Sequence, residues 1–385
     1  MLTDSSHAKE IRLFDLGPLF IGRFRDIRRK LRKGRLALTR RRYITDFAAH
    51  MIATAAIYGS YVYVAYEAIW GKITLGDLVM YYQAFQRVQG FLKGMLGSLA
   101  GLYESNLFLS NLYEFLDLKR TVIEPLHPSP FPQPMQRGIV VNHVSFQYPG
   151  GARKVLEDIS LTIRPGEVVA LVGENGSGKT TLMKLLCRLY DPTGGTITID
   201  GVDLRQFETK ALRHEIAIIF QDYTHYHLTA QENIWLGNTD LPPDHERVLA
   251  VARRSGADDV ISGLPHGYET LLGKWFEDGE ELSIGEWQKV ALARAFMRDA
   301  QIIVLDEPTS SMDAKAEYEV FQSFHQLVSG RTAILISHRF STVRMADRIY
   351  VLKHGSIIEG GTHEELVRVG GTYARLFEMQ ARHYR

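Results

Sequence analysis

The sequence predicts two physically different parts: an all-α segment that enters a membrane, and behind it an α/β domain built around a phosphate-binding loop. Three observations carry this. A mostly apolar run, Phe47 to Trp70, directly follows a dense basic block. A glycine-rich loop, Gly173 to Thr180, stands between a strand-like run and a helical pattern. Two further short apolar runs, Ile302–Leu305 and Thr332–Ser337, end in Asp306 and His338. Whole-chain charge decides little, because the formal net charge is only +1.

The basic block places eleven Lys or Arg between Arg23 and Arg42 against one acid, Asp26. Such a block suits nucleic acid or a membrane surface. The following run argues for the membrane, since about 20 apolar residues span a bilayer and a basic flank marks the cytoplasmic side. A first span is therefore expected over about 44–70, and no nucleic acid is expected as a partner. Gly71 to Asp77 reads as a tight outer turn, and a second span over about 78–102 returns to the cytoplasm. Gln83, Gln86, Arg87, Gln89 and Lys93 interrupt that span. Polar groups at membrane depth usually face a bundle interior or a water-filled cavity, so Arg87, Gln83 and Gln86 are candidates to line a substrate path. Snorkelling or helix–helix pairing is an equally weighted alternative.

Residues 119–137 carry Pro125, Pro128, Pro130, Pro132 and Pro134, a spacing that predicts an extended, partly stiff linker. The α/β domain is expected over 138–385. Its only cysteine, Cys187, reads as a packed thiol, so neither a disulfide framework nor a cysteine metal site is expected.

Gly173-Glu174-Asn175-Gly176-Ser177-Gly178-Lys179-Thr180 fits the phosphate-loop pattern, with Val168–Val172 before it and Thr181–Leu186 after it. Glycines let backbone N–H groups turn inward around phosphate oxygens, and the helix N-terminus adds partial positive charge. Lys179 is expected to reach the β- and γ-phosphates and the Thr180 hydroxyl to hold Mg²⁺. Asp306 leaves a buried central strand at the edge that faces the phosphate loop, so it reads as a second Mg²⁺ partner. Glu307 then stands where it orients or deprotonates the attacking water. A helix N-cap is the bland reading of such an acidic pair, and the upstream loop favours the catalytic one. His338 gains a γ-phosphate contact only from its place in this series.

Leu282-Ser283-Ile284-Gly285-Glu286 resembles the signature L-S-G-G-Q of ABC transporters, and residues 138–385 as a whole resemble their nucleotide-binding domain. The resemblance implies a RecA-like parallel core sheet with an antiparallel β subdomain and a helical signature subdomain. It also implies ATP and Mg²⁺, with the loop residues Gly173, Asn175, Gly176, Ser177, Gly178, Lys179, Thr180 and Thr181 around the phosphates. By the same resemblance Tyr148 stacks on adenine, and Gln221 senses Mg²⁺ and links the site to the membrane part. Ser283 and Gly285 are implied to clamp the γ-phosphate of ATP held by a second subunit, and Ser310 to Asp313 to cross that interface.

Two departures stand in the signature. Ile284 replaces a glycine, so the turn must accept ordinary dihedrals. Glu286 replaces a glutamine and adds charge near a phosphate unless it points away. The presence of Lys179, Asp306, Glu307 and His338 reads as competence for hydrolysis.

Ala8 to Phe14 resembles the cytoplasmic coupling segment before the fifth helix of type IV exporter half-transporters. On that resemblance the chain carries the last two of six helices. A second half-transporter, identical or not, is the implied partner in the cell membrane, with the ATP domain on the cytoplasmic side and the transported substrate open. The missing helices are expected upstream in a longer chain, with a separate chain as the alternative. A membrane-tethered ATPase that transports nothing, or an inactive truncated product, are the other readings.

Overall fold

The computed structural model describes residues 8–72, 74–276, 278–307, 328, 330–337 and 339–383. The chain divides into two compact units, Met1–Leu118 and Lys119–Arg385.

The first unit is helical: α1 (Ala8–Leu13), α2 (Gly17–Ile69) and α3 (Leu75–Leu116). Pro18 sits in the first turn of α2, where its missing N–H costs nothing. At 53 residues α2 is about 80 Å long, far more than a bilayer core of roughly 30 Å. The helix runs unbroken through the basic block, because Lys and Arg are good helix formers. Asp26 and Asp46 approach Arg29 and Arg42 at 3.6 and 3.8 Å. Among the described residues α2 is the helix long and apolar enough to cross a membrane, with an 18-residue stretch of mean hydropathy 1.2. The interruptions already visible in the second expected span keep α3 below that mark.

The turn between α2 and α3 is shorter than the sequence suggested. Thr74 and Asp77 form a reciprocal capping box, Asp77 N–H donating to Thr74 Oγ1 and Thr74 N–H to Asp77 Oδ2. Leu75 to Asp77 therefore belong to α3. The two helices meet through Tyr61, whose ring lies 5.1 Å from Tyr82 and 6.2 Å from Phe85. Gln86 Nε2 donates to the Tyr61 hydroxyl at 3.3 Å, so Gln86 pairs the helices, the alternative to lining a path.

In the second unit, β1 (Ile139–Gln147), β2 (Lys154–Ile163), β4 (Gly194–Ile199) and β5 (Val202–Asp203) form an antiparallel sheet ordered β2-β1-β4-β5. A six-stranded sheet holds β3 (Val168–Val172), β6 (Ile216–Ile219), β7 (Ile302–Asp306), β8 (Thr332–Ile336), β9 (Arg348–Lys353) and β10 (Ser356–Gly361) in the order β10-β9-β3-β8-β7-β6. It is parallel except for the edge pair β9–β10.

Both faces of this larger sheet are covered, which is why its strands read as continuous apolar runs. Val169, Leu171, Val304 and Ile334 pack with the antiparallel sheet and with α4 (Lys179–Leu186). Ala170, Val172, Leu305 and Leu335 pack with helices that include α6 (Ala230–Trp235), α7 (His245–Ser255) and α9 (Ile284–Phe296). Each fully buried Leu or Ile among them contributes about 1.5–3 kcal/mol.

Residues 119–137 form irregular backbone that lies on this unit. Buried Arg188 donates to the Ile123 carbonyl at 2.6 Å and to the Phe207 carbonyl at 2.7 Å. Met135 N–H donates to Gln301 Oε1 at 2.8 Å, and Gln301 Nε2 to the Pro132 carbonyl at 3.0 Å. The proline-rich stretch is thus part of the compact unit, held by hydrogen bonds that its composition alone does not reveal. Cys187 is buried and unbridged, and burial pushes its thiol up to about 12.

Candidate nucleotide site

Strand register sets the site. Leu171 of β3 pairs with Ile336 of β8, and Ile336 pairs with Asp306 of β7. The carboxylate therefore leaves the sheet two strands from the phosphate loop, roughly 10 Å in the direction of the ladder. The loop closes that gap by turning sharply into α4. Gly178 takes φ 109° at the N-cap of α4, and a Cβ there would strike Leu156 and the Val155 carbonyl.

That turn delivers Lys179 and Thr180. Lys179 Nζ donates to the Gly173 and Glu174 carbonyls at 2.8 and 3.1 Å, and the side chain is buried. Burial lowers its pKa, while the nearby Glu307 and Asp306 carboxylates pull the other way. Thr180 Oγ1 donates to Asp306 Oδ2 at 2.7 Å. Asp306 is 1% exposed, and its Oδ1 has no hydrogen-bond partner among the described residues.

Burial raises the Asp306 pKa. The Thr180 hydrogen bond opposes that shift, and Glu307 adds to it. A buried oxygen left unsatisfied is costly. A hydroxyl beside such a carboxylate is a hard oxygen donor set, so the pair fits Mg²⁺.

A cleft of about 250 Å³ opens above the loop. Asn175, Gly176, Gly178, Lys179, Thr180, Thr181, Gln221 and Glu307 line it, together with Val155. Glu307 adopts φ 51° and donates its N–H to the Ile336 carbonyl at 2.8 Å. That kink in a disfavoured region for a non-glycine residue turns the chain at the end of β7 and leaves Glu307 on the cleft wall. Tyr148 sits beside the helix start, its hydroxyl 3.1 Å from Thr181 Oγ1 and its ring edge-on to Tyr190 at 5.3 Å.

The signature segment lies apart from this cleft. Ser283 is the N-cap of α9: its N–H donates to Glu286 Oε2 at 2.7 Å, and Glu286 N–H donates to Ser283 Oγ at 3.4 Å. Ile284 is 61% exposed, and a Cβ on Gly285 would meet open space. Neither Ser283 nor Gly285 lines the cleft of its own chain.

Residues 156–310 match the family model described as ABC transporter. Subtilin transport ATP-binding protein SpaT of Bacillus subtilis is 34% identical over 381 residues, covering 99% of this chain and 62% of the relative. The ATP-dependent lipid A-core flippase of Burkholderia pseudomallei (strain 1710b) is 34% identical over 385 residues, covering 97% and 61%. The structure of a bacterial Atm1-family ABC exporter with ATP bound superposes with a TM-score of 0.85 at 29% identity, covering 97% of this chain and 65% of that one. The chain carries an ABC transporter domain over residues 156–310.

It spans about three-fifths of the length of these curated ABC relatives. Within it, the structure brings Asn175, Gly176, Gly178, Lys179, Thr180, Thr181, Gln221 and Glu307 to one cleft, whose lining does not include the expected Gly173, Ser177 and Tyr148, and ties Asp306 to Thr180. His338 and Asp313, with Ser310, Ser311 and Met312, lie outside the described residues. Both signature departures find a physical account. Ile284 is the first residue of α9 and keeps ordinary helical dihedrals, because Ser283 takes the extended N-cap conformation. Glu286 is spent on the capping box. Val155 and Tyr190 went unnoticed in the sequence, since an apolar strand residue and a tyrosine after a helix carry no motif.

Proposed function

We propose that this chain is the ATP-binding and hydrolysing part of an exporter half-transporter, in which two such domains close head to tail on ATP and drive export across a bilayer. One observation carries the reading: the cleft holds Lys179, Thr180, Gln221 and Glu307, while the anion-ready N-terminus of α9 with Ser283 faces outward. Each chain then supplies half of two sites. Supporting it, the relatives carry names of transport: subtilin for SpaT, lipid A-core for the flippase. The remaining helices come from further chain or from the partner, and the ATP domain lies on the cytoplasmic side.

In this reading residues 119–137 join the membrane part, with spans near 44–70 and 78–102, to the ATP domain over 138–385. Tyr148 stacks on adenine. Backbone groups of Gly173 to Gly178 and the Lys179 ammonium neutralise the phosphates, with Asn175, Ser177 and Thr181 completing the cradle. Thr180, Asp306 and Gln221 would hold Mg²⁺, which would supply charge neutralisation on the phosphate oxygens.

Glu307 accepts a proton from water as the water oxygen bonds to the γ-phosphorus and the bond to the bridging oxygen of ADP breaks. His338 contacts the γ-phosphate, and the partner's Ser283, Gly285 and Asp313 close the site. The segment near Phe14 and the region of Gln221 transmit closure to the membrane helices.

Glu307→Gln tests the core of this reading. The variant should bind ATP at the parent concentration, lose turnover by at least about a hundredfold, and accumulate as an ATP-stabilised dimer. Parent-like hydrolysis in that variant would remove Glu307 from its role.

A further inference from the structure

The strand that ends before Gln221 is followed by a segment in which Tyr223, His225, Tyr226 and His227 contact α9 or the stretch before it. Tyr223 Oη donates to the Ile284 carbonyl at 3.0 Å. The His225 ring lies parallel to the Trp287 indole, with centroids 4.4 Å apart and planes 2° apart. Arg294, two turns along α9 from Trp287, donates to the Thr224 carbonyl at 3.3 Å and places its guanidinium 4.8 Å from the Tyr226 ring. His227 tilts over Trp275 at 5.4 Å, on the stretch leading into the signature. These contacts tie one loop to the first turn of α9, to its last turn and to its approach.

Trp287 is the hinge of this clasp. It is 1% exposed, and its indole N–H has no hydrogen-bond partner among the described residues. A buried tryptophan normally finds such a partner. Here the ring is fixed through its face, by His225, and by the surrounding core. Trp287 lies four residues after Ser283, whose carbonyl accepts its N–H at 2.9 Å. The backbone that carries the indole is thus bonded directly to the N-cap residue.

We propose that His225 is a positioning residue that, by stacking on Trp287, sets the height of Ser283 and the α9 N-terminus relative to the Gln221 side of the cleft. The nucleotide in one chain's cleft thereby adjusts the clamp that this chain offers to its partner's ATP. The inference rests on the composite-site reading above, and it assigns the coupling within one domain to a ring pair rather than to the hydrogen bonds of the phosphate loop.

The test uses the full chain in lipid nanodiscs on the Glu307→Gln background, with ATP as the ligand and dimer fraction as the readout. His225→Ala should raise the ATP concentration for half-dimerisation about three- to tenfold, the scale of one stacked aromatic pair. Binding of a fluorescent ATP analogue to the dilute chain should stay at the parent value. His225→Phe, which keeps a flat ring and loses both ring nitrogens, should restore dimerisation to within about twofold.

Parent-like dimerisation of His225→Ala overturns the positioning role and leaves the composite site standing. Equal loss of analogue binding and dimerisation, with no rescue by phenylalanine, also overturns it, since the residue would then only support the fold. If the Glu307→Gln parent itself fails to dimerise with ATP, both readings fall together.

Discussion

Asp306 shows how much one buried carboxylate can carry. The apolar run before it marked the residue as the end of a central strand, and the register two strands from β3 brings it within 2.7 Å of Thr180. Burial raises its pKa, so the folded chain holds a proton that the unfolded chain releases. Stability then falls as pH rises from the ordinary carboxylate value through the raised one, and the cost remains at neutral pH. Asp306→Asn removes that cost. The nucleotide-free variant should melt at a higher temperature at pH 7 and lose the fall in stability across that pH window. Its Mg²⁺ affinity in the presence of ATP should drop about 10- to 100-fold. A melting point at or below the parent's would contradict the account.

Among the elements, the proline-rich stretch and α9 behave least as composition suggests. Residues 119–137 look like a spacer, yet Arg188, fully buried, fastens them through Ile123. The same guanidinium satisfies the Phe207 carbonyl and lies 3.3 Å from Asp191. Removing it strands these acceptors in the interior. Arg188→Ala should destabilise the unit by about 3 kcal/mol, read as a fall of roughly 10 °C in the melting temperature, and trypsin should cut faster after Lys119 and Arg120. Unchanged cleavage would mean that the stretch is held by something else.

For α9, the motif at 282–286 was legible through its resemblance to the signature L-S-G-G-Q. The fate of its odd members was not, because a capping box is visible only once Ser283 is known to be the N-cap. The His225–Trp287 stack was invisible for a related reason: 62 residues separate the two rings in sequence, and no periodicity links a loop to a distant helix.

At the scale of the whole molecule, the split between cleft and clamp argues for two copies working together. Chains carrying Lys179→Ala and chains carrying Ser283→Ala should each be nearly inactive alone. Mixed in equal amounts with subunit exchange, they should recover about a quarter of parent ATPase activity, since half the dimers are mixed and one of two sites in each is intact. No recovery, with exchange demonstrated, would sink the shared site. The membrane part is harder to read at this scale. Among the described residues only α2 carries a stretch apolar enough to span, and Gln86, one of the polar residues that first pointed to a path, is occupied by Tyr61 on the neighbouring helix.

The sequence by itself carried the family resemblance: a phosphate loop, an acidic pair after an apolar strand and a signature motif are short, local patterns. Apolar run length and proline spacing, which are local too, marked where the helical part gives way to the α/β part. Only the tertiary structure decided which residues share a cleft, that the signature opens away from it, and that the linker is docked. Those outcomes depend on strand register, on a buried arginine and on ring contacts between distant segments. Such long-range contacts are selected by packing the whole domain, and no window of sequence contains them.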